Sequence, residues 1–88
     1  MKIKGEFVVR QVLDNTVALP VGETALKING MILLNEVSLV IWNALEKGAD
    51  KDTIINGITD TFAVDPQEAR KDLEEFLEQL EKNDLLTQ

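Results

Sequence analysis

Residues 31–48 read MILLNEVSLVIWNALEKG, and within this stretch the hydrophobic period changes from that of a strand to that of a helix. Four consecutive apolar residues, Met31 to Leu34, favour a buried or half-buried strand. Asn35 follows, and asparagine is a preferred helix N-cap. Apolar residues then recur at helical spacing until Gly48, which is suited to end a helix. That predicted stripe consists of Val37, Val40, Ile41, Ala44 and Leu45.

The segment before this stretch is rich in strand signals. Residues 7–13 contain several β-branched residues, and Asp14-Asn15 is a typical turn pair before residues 16–19, so a β-hairpin is predicted. Residues 25–28 and 31–34 flank Asn29-Gly30, a strong signal for a two-residue turn. A second hairpin is therefore predicted over residues 25–34.

The segment after it predicts two more helices. Asp50 can cap a short helix that contains Gly57, and Asp65-Pro66 opens a third with a cap and a first-turn proline. Asn83-Asp84 interrupts the third helical pattern. The predicted fold class is α+β, a small winged helix-turn-helix-like domain with N-terminal antiparallel β strands at about residues 7–34 and three α-helices at about residues 36–83. One domain over residues 1–88 is expected.

Composition excludes several classes of function. The net charge is -7, from 16 acidic and 9 basic residues, and such a chain repels nucleic-acid phosphates. There is no cysteine or histidine, which removes thiol and imidazole chemistry and the usual zinc ligands, so no metal or other cofactor is expected. No apolar run is long enough for a signal sequence or a membrane span, so a cytoplasmic protein without membrane contact is expected.

Several short motifs, taken in order, resemble one known family. They are Leu34-Asn35-Glu36, then Trp42 and Leu45 on the first predicted helix, and then the run from Val64-Asp65-Pro66 through Asp72, Phe76 and Leu77 to Leu85-Leu86. Each motif alone is weak, but their order is similar to that of the PqqD family over roughly residues 7–86.

The resemblance implies a non-catalytic domain, also called a RiPP recognition element, that binds the leader of a ribosomally made precursor peptide. The leader would add as a strand to the sheet edge beside the last helix and be delivered to a separate maturation enzyme, often a radical SAM protein. By position, the implied peptide-binding residues are Met31, Ile32, Leu33 and Leu34 on the edge strand and Asp72, Leu73, Phe76, Leu77 and Leu80 on the helix. An open edge is also compatible with a homodimer.

Three features have two readings on the sequence alone. The strand of residues 31–34 either buries both faces or buries one and offers the other to a partner. The acidic last helix either attracts a basic leader or is solvated surface. Trp42 is either a binding aromatic or a partly buried residue at the edge of the core.

Three other functions compete with leader binding. The first is an adaptor for a folded protein partner. The second is a winged-helix DNA-binding regulator, which the acidic presumed recognition helix argues against. The third is a small enzyme using paired carboxylates such as Glu74 and Glu78, around which no nucleophile, phosphate loop or metal cluster is found.

Overall fold

Strands dominate the first third of the chain and helices the remainder, which confirms the predicted α+β class. The computed structural model describes residues 1–87. In chain order its elements are β1 (Lys2–Ile3), β2 (Phe7–Val12), β3 (Asn15–Pro20), α1 (Gly22–Lys27), β4 (Ile32–Leu34), α2 (Glu36–Glu46), α3 (Lys51–Phe62), α4 (Pro66–Lys82) and β5 (Leu86–Thr87). They form two compact units, residues 5–35 and residues 1–4 with 36–87. That the whole chain is one domain stays a prediction.

The unit of residues 5–35 is built on a three-stranded antiparallel sheet in the order β2-β3-β4. β3 is the central strand, and both of its middle residues, Val17 and Ala18, are buried. Val17 lies opposite Leu33 of β4 and opposite Arg10 of β2. Because side chains alternate between faces, burial of two successive residues shows that β3 is covered on both faces.

The first hairpin is present, but its turn lies one residue earlier than predicted. Val12 pairs with Asn15, so the two loop residues are Leu13 and Asp14, and Asn15 belongs to β3. Leu13 has a φ of +56°. A left-handed backbone costs a residue other than glycine roughly 1–2 kcal/mol. The prediction placed the polar Asp14-Asn15 pair in the turn because such residues tolerate this conformation, whereas the strand register places a leucine there.

The predicted second hairpin is wrong. Residues 22–27 form helix α1, where a strand was expected over residues 25–28. The sequence GETALK is rich in helix formers, and the amide N–H of Ile28 donates to Thr24 O at 3.0 Å to close the last turn. Gly30, with a φ of +92°, then turns the chain into β4. The Asn-Gly pair thus joins a helix to a strand instead of two strands.

The unit of residues 1–4 and 36–87 packs the three predicted helices around an apolar core. The stripe predicted for α2 is rotated, because Trp42 is only 1% exposed whereas Val37, Val40 and Ala44 are partly exposed. Burying the largest side chain gains the most hydrophobic free energy, so the buried positions become 38, 41, 42 and 45. The core side chains of this unit are Ile41, Trp42, Leu45, Ile54, Ile55, Ile58, Ala69, Leu73, Phe76, Leu77, Leu80 and Leu85.

The two ends of this unit pair with each other, which the sequence did not indicate. Ile3 lies opposite Leu86, and the amide N–H of Lys4 donates to Leu85 O at 2.7 Å. Leu85 is 3% exposed. The short β1–β5 ladder therefore ties the residues that follow α4 to the start of the chain.

Both predicted aspartate caps are confirmed. Asp65 Oδ1 accepts from the amide N–H of Gln67 at 2.8 Å, with Pro66 in the first turn of α4. Asp50 Oδ1 accepts from the amide N–H of Thr53 at 2.8 Å at the start of α3. These bonds satisfy amide groups that have no partner within their own helix.

The Asp50 cap makes stability depend on pH. The hydrogen bond from Thr53 holds the pKa of Asp50 below its usual value, so the cap's contribution is present above the unfolded-state pKa and is lost as the pH falls through the lower folded-state pKa. Asp50→Asn keeps an acceptor oxygen without the charge. We expect the wild type to lose its stability advantage over Asp50→Asn below about pH 4.

Urea unfolding at several pH values between 7 and 2.5 measures this difference. Asp52→Asn, which removes one negative charge from the same first turn, is the matched control. A wild-type advantage that stays constant over this pH range would contradict the assignment.

Candidate functional site

Strand β4 is an edge of the three-stranded sheet. Within residues 1–87 its ladder runs only to β3, with Leu34 opposite Thr16, Leu33 opposite Val17, and Ile32 opposite Ala18. The other side of the strand therefore presents backbone groups that another strand can bind.

The register shows which backbone groups of β4 face outwards. The amide N–H of Val21 donates to Glu6 O at 3.0 Å, and this hydrogen-bonded pair continues the β2–β3 register one position beyond Phe7 and Pro20. Hydrogen-bonded pairs alternate along an antiparallel ladder. The odd residues of β3 therefore bond β2 and the even ones bond β4. It follows that Ile32 and Leu34 bond β3, while the N–H and C=O of Leu33 point to the open edge.

The side chains of this segment alternate in exposure. Leu34 is 5% exposed and Ile32 is partly exposed, whereas Leu33 is 64% and Met31 51% exposed. The expectation that both faces are buried is therefore wrong, because one face is exposed; that this face meets a partner stays a prediction. The exposed side chains of Met31 and Leu33 thus lie beside the outward N–H and C=O groups of Leu33.

Pro20 accounts for the shortness of β4. Continuing the register would place Pro20 opposite Gly30, on the side of β3 that bonds β4. Proline has no N–H to donate, and the φ of +92° at Gly30 turns the chain away from a strand conformation. The ladder therefore ends at Ile32, and Met31, predicted as part of the strand, lies just before it.

The other edge of the sheet, β2, is protected. By the same alternation the carbonyl group of Val9 points away from β3, and Arg10 Nη1 donates to Val9 O at 2.9 Å. Arg10 is itself exposed in the middle of the edge strand. A charged side chain that occupies an outward acceptor is a known protection against strand addition. The uncharged segment of residues 31–34 has no such residue, so β4 is the edge suited to accept a strand.

The apolar residues of the predicted helical wall are buried, unlike the exposed residues of the edge strand. Leu73, Phe76, Leu77 and Leu80 are between 0% and 7% exposed, and Asp72 is partly exposed. The four apolar residues therefore belong to the core of the helical unit. Contact between these α4 side chains and a peptide stays a prediction, and the open edge of β4 is the candidate site.

The acidic side of α4 is exposed and partly neutralised. Glu74 pairs with Lys51 at 3.2 Å, and Glu78 pairs with Lys82 at 3.2 Å. Exposed pairs of this kind contribute about 0–1 kcal/mol. They fit solvated surface, since both glutamates are exposed.

Two other features bear on function. Trp42 is buried, so both predictions for this residue are wrong: it is neither a binding aromatic nor partly buried at the edge of the core.

Over residues 1–87 there is no group of three or more potential metal-ligating side chains and no helix that could cross a membrane.

Sequence reasoning missed other exposed apolar side chains in the unit of residues 5–35. In the described chain the large hydrophobic residues with the greatest exposure are Val12, Leu13, Leu26, Met31 and Leu33, all in this unit. The unit of residues 5–35 carries three acidic and two basic residues, whereas the rest of the chain carries thirteen acidic and seven basic residues. The most exposed large apolar side chains thus lie in the nearly neutral unit, and Leu13 next to Asp14 was the signal available in the sequence.

Comparison with known proteins finds one matching family and a similar solved structure. The family model described as coenzyme PQQ synthesis protein D (PqqD) matches residues 12–86. No curated protein sequence matches the chain. Among solved structures, TbiB1 in complex with the TbiA(beta) leader peptide is similar, with a TM-score of 0.73 and 29% sequence identity. The match covers 98% of this chain and 94% of the TbiB1 chain.

Leu77 provides a test of the α4 core assignment. Leu77→Asp would place a carboxylate at a position that is 3% exposed, and we expect it to unfold the helical unit, since burying an unpaired charge costs several kcal/mol, about the whole stability of a small domain. Circular dichroism measures the loss of helix. Gln79→Asp, on the exposed side of the same helix, should remain folded, and a folded Leu77→Asp variant would argue against a buried Leu77.

Arg10 provides a test of the protected β2 edge. Arg10→Thr frees the Val9 carbonyl group and removes the charge from the edge strand, so the variant should self-associate. We expect the average mass of the variant in light scattering to exceed that of the wild type at high concentration. Lys27→Thr removes an exposed positive charge from α1 of the same unit and should not change the mass. Equal masses for Arg10→Thr and the wild type would contradict the protective role.

Proposed function

Since this chain belongs to the PqqD family, we propose that it binds the leader segment of a ribosomally synthesised precursor peptide, without catalysing a reaction on it. The observation that carries the proposal is the open edge of β4, where Leu33 directs both its N–H and its C=O outwards. The similar TbiB1 structure, which is a complex with a leader peptide, supports the same ligand class.

Binding proceeds by strand addition. A leader in extended conformation donates to Leu33 O and accepts from the Leu33 N–H, so β4 becomes an inner strand of a four-stranded sheet. Two net hydrogen bonds contribute about 1–3 kcal/mol together. A micromolar dissociation constant requires about 8 kcal/mol, so most of the affinity must come from apolar burial.

The exposed faces of Met31 and Leu33 indicate what the leader presents. Full burial of one such side chain gains about 1.5–3 kcal/mol, and both start from at least half exposure. The leader must therefore contribute apolar side chains of its own, at alternate positions that lie on the Leu33 face. Because residues 28–35 carry no charge, hydrophobic anchors rather than ion pairs are expected to select the leader at this edge.

Delivery to an enzyme completes the proposed role. A chain that binds a leader without modifying it must pass it to a separate maturation enzyme, for which a radical SAM protein is the partner that the family resemblance suggests. A homodimer formed through β4 would use the same backbone groups as the leader. Self-association at that edge and leader binding are therefore expected to compete.

Isothermal titration with synthetic N-terminal segments of short peptides encoded beside the gene tests the ligand class. We expect one segment to bind with a micromolar or lower dissociation constant and a negative heat-capacity change, the marker of apolar burial. The same segment with its apolar residues replaced by serine is the control. Absence of binding by every segment, with folded protein, would overturn the proposal.

Leu33→Pro tests whether the leader bonds the backbone N–H of Leu33. It removes the outward N–H but no bond to β3, and proline is tolerated on an edge strand when its N–H side faces solvent. We expect a folded protein whose leader affinity is at least tenfold below that of Leu33→Ala, the matched control that also loses the side chain but keeps the N–H. Ile32→Pro is unsuitable, because Ile32 bonds Ala18 within the sheet.

Titration of the two Leu33 variants with the same leader, together with circular dichroism, gives the comparison. Equal affinities for Leu33→Pro and Leu33→Ala would show that the leader does not bond the backbone at this residue.

A further inference from the structure

Met31 places a thioether beside the open edge of β4. Its side chain is 51% exposed, and exposure alternates from Met31 to Leu33, which is 64% exposed, and Leu34, which is 5% exposed. Leucine occupies two later positions of the same apolar run, so apolar character alone does not require a sulfur atom here. A flexible, polarisable methionine suits a surface that adapts to a peptide, and it also makes that surface open to oxidation.

Few other side chains of this protein react with a mild oxidant. The sequence contains no cysteine, histidine or tyrosine, and its two methionines are Met1 and Met31. The single tryptophan, Trp42, is only 1% exposed, and Met1 is partly buried. Because access of the oxidant follows exposure, Met31 should be modified before either of these residues.

We propose that Met31 is a reversible oxidation site, and that its sulfoxide lowers the affinity of the β4 edge for the leader. This inference rests on the proposed function, because it takes the leader as the ligand of that edge. It deepens that function by making leader affinity depend on the oxidation state of one side chain.

The oxidant is hydrogen peroxide, and the step is a two-electron oxidation of sulfur. A lone pair of Met31 Sδ attacks one peroxide oxygen, so an S–O bond forms and the O–O bond breaks. The transferred oxygen gives its proton to the departing hydroxide, which leaves as water. Methionine sulfoxide reductases reverse the change, since two thiols are oxidised to a disulfide while the oxygen leaves as water.

Oxidation removes the kind of contact on which this edge depends. Residues 28–35 carry no charge, so the side-chain part of the affinity comes from apolar contact with Met31 and Leu33. A sulfoxide is polar, and burying a polar group without a hydrogen bond costs free energy. Losing the contribution of a half-exposed apolar side chain corresponds to an affinity about fivefold lower.

The fold does not depend on the thioether. Met31 lies outside the β3–β4 ladder, which ends at Ile32, and half of its side chain is already exposed to solvent. The buried side chains of residues 1–87 include no methionine. The melting temperature should therefore be the same before and after oxidation of Met31, so that a change in affinity can be separated from unfolding.

Treatment of the full chain with hydrogen peroxide, followed by titration with the leader segment, tests the inference. We expect the oxidised wild type to bind about fivefold more weakly and to regain its affinity after treatment with reductases for both sulfoxide epimers. Met31→Leu is the matched control, because it conserves apolar volume and keeps Met1 as the one remaining sulfur. Peroxide should not change the leader affinity of this variant.

A bound leader should in turn protect Met31. The leader covers the side chain, so a saturating leader, with any methionine of its own replaced by leucine, should slow oxidation of Met31 but not of Met1. Peptide mass spectrometry locates the added oxygen and gives both rates. Equal Met31 rates with and without leader would contradict the inference. So would undiminished affinity of the oxidised wild type, an equal loss in Met31→Leu, or a lowered melting temperature after oxidation.

The inference and the proposed function fail in distinguishable ways. If the reduced wild type binds no leader segment, both are overturned. If the reduced and oxidised forms bind the same leader equally well, the proposed function stands and only the role of Met31 oxidation is removed.

Discussion

The alternation of backbone hydrogen bonds along β3 is the constraint on which the proposed site depends. The bond between Val21 and Glu6 fixes which residues of β3 face β2, and the continuous register then leaves the N–H and C=O of Leu33 without a place in the sheet. Pro20 ends the β3–β4 ladder on that same side. The result is a short edge strand in which the backbone groups of one residue face outwards beside exposed apolar side chains.

The two edges of the sheet are chemically different, and under the proposed strand addition only β4 is suited to bind the peptide. On β2 the guanidinium group of Arg10 donates a hydrogen bond to the outward carbonyl group of Val9. On β4 the segment of residues 31–34 contains only apolar side chains. A protein that binds by strand addition must keep one edge reactive without becoming prone to association at both, and protecting one edge with a charge achieves this.

The most exposed apolar side chains and most of the acidic residues lie in different units. The exposed large hydrophobic residues lie between Val12 and Leu33, whereas most of the negative charge lies outside residues 5–35. Acidic surface keeps a small domain soluble and discourages non-specific association. Large apolar side chains can therefore remain exposed on the nearly neutral unit.

The sequence by itself determined the fold class, the helix starts at Asp50 and Asp65, and the family, because caps, periodicity and motif order are local patterns. It misassigned residues 22–27, since an Asn-Gly pair predicts a turn but not which elements the turn joins. Only the tertiary structure decided that Trp42 is buried and that Leu33 faces outwards. Burial depends on which side of a helix meets the core, and backbone direction depends on register, and both are set by contacts between residues far apart in the chain.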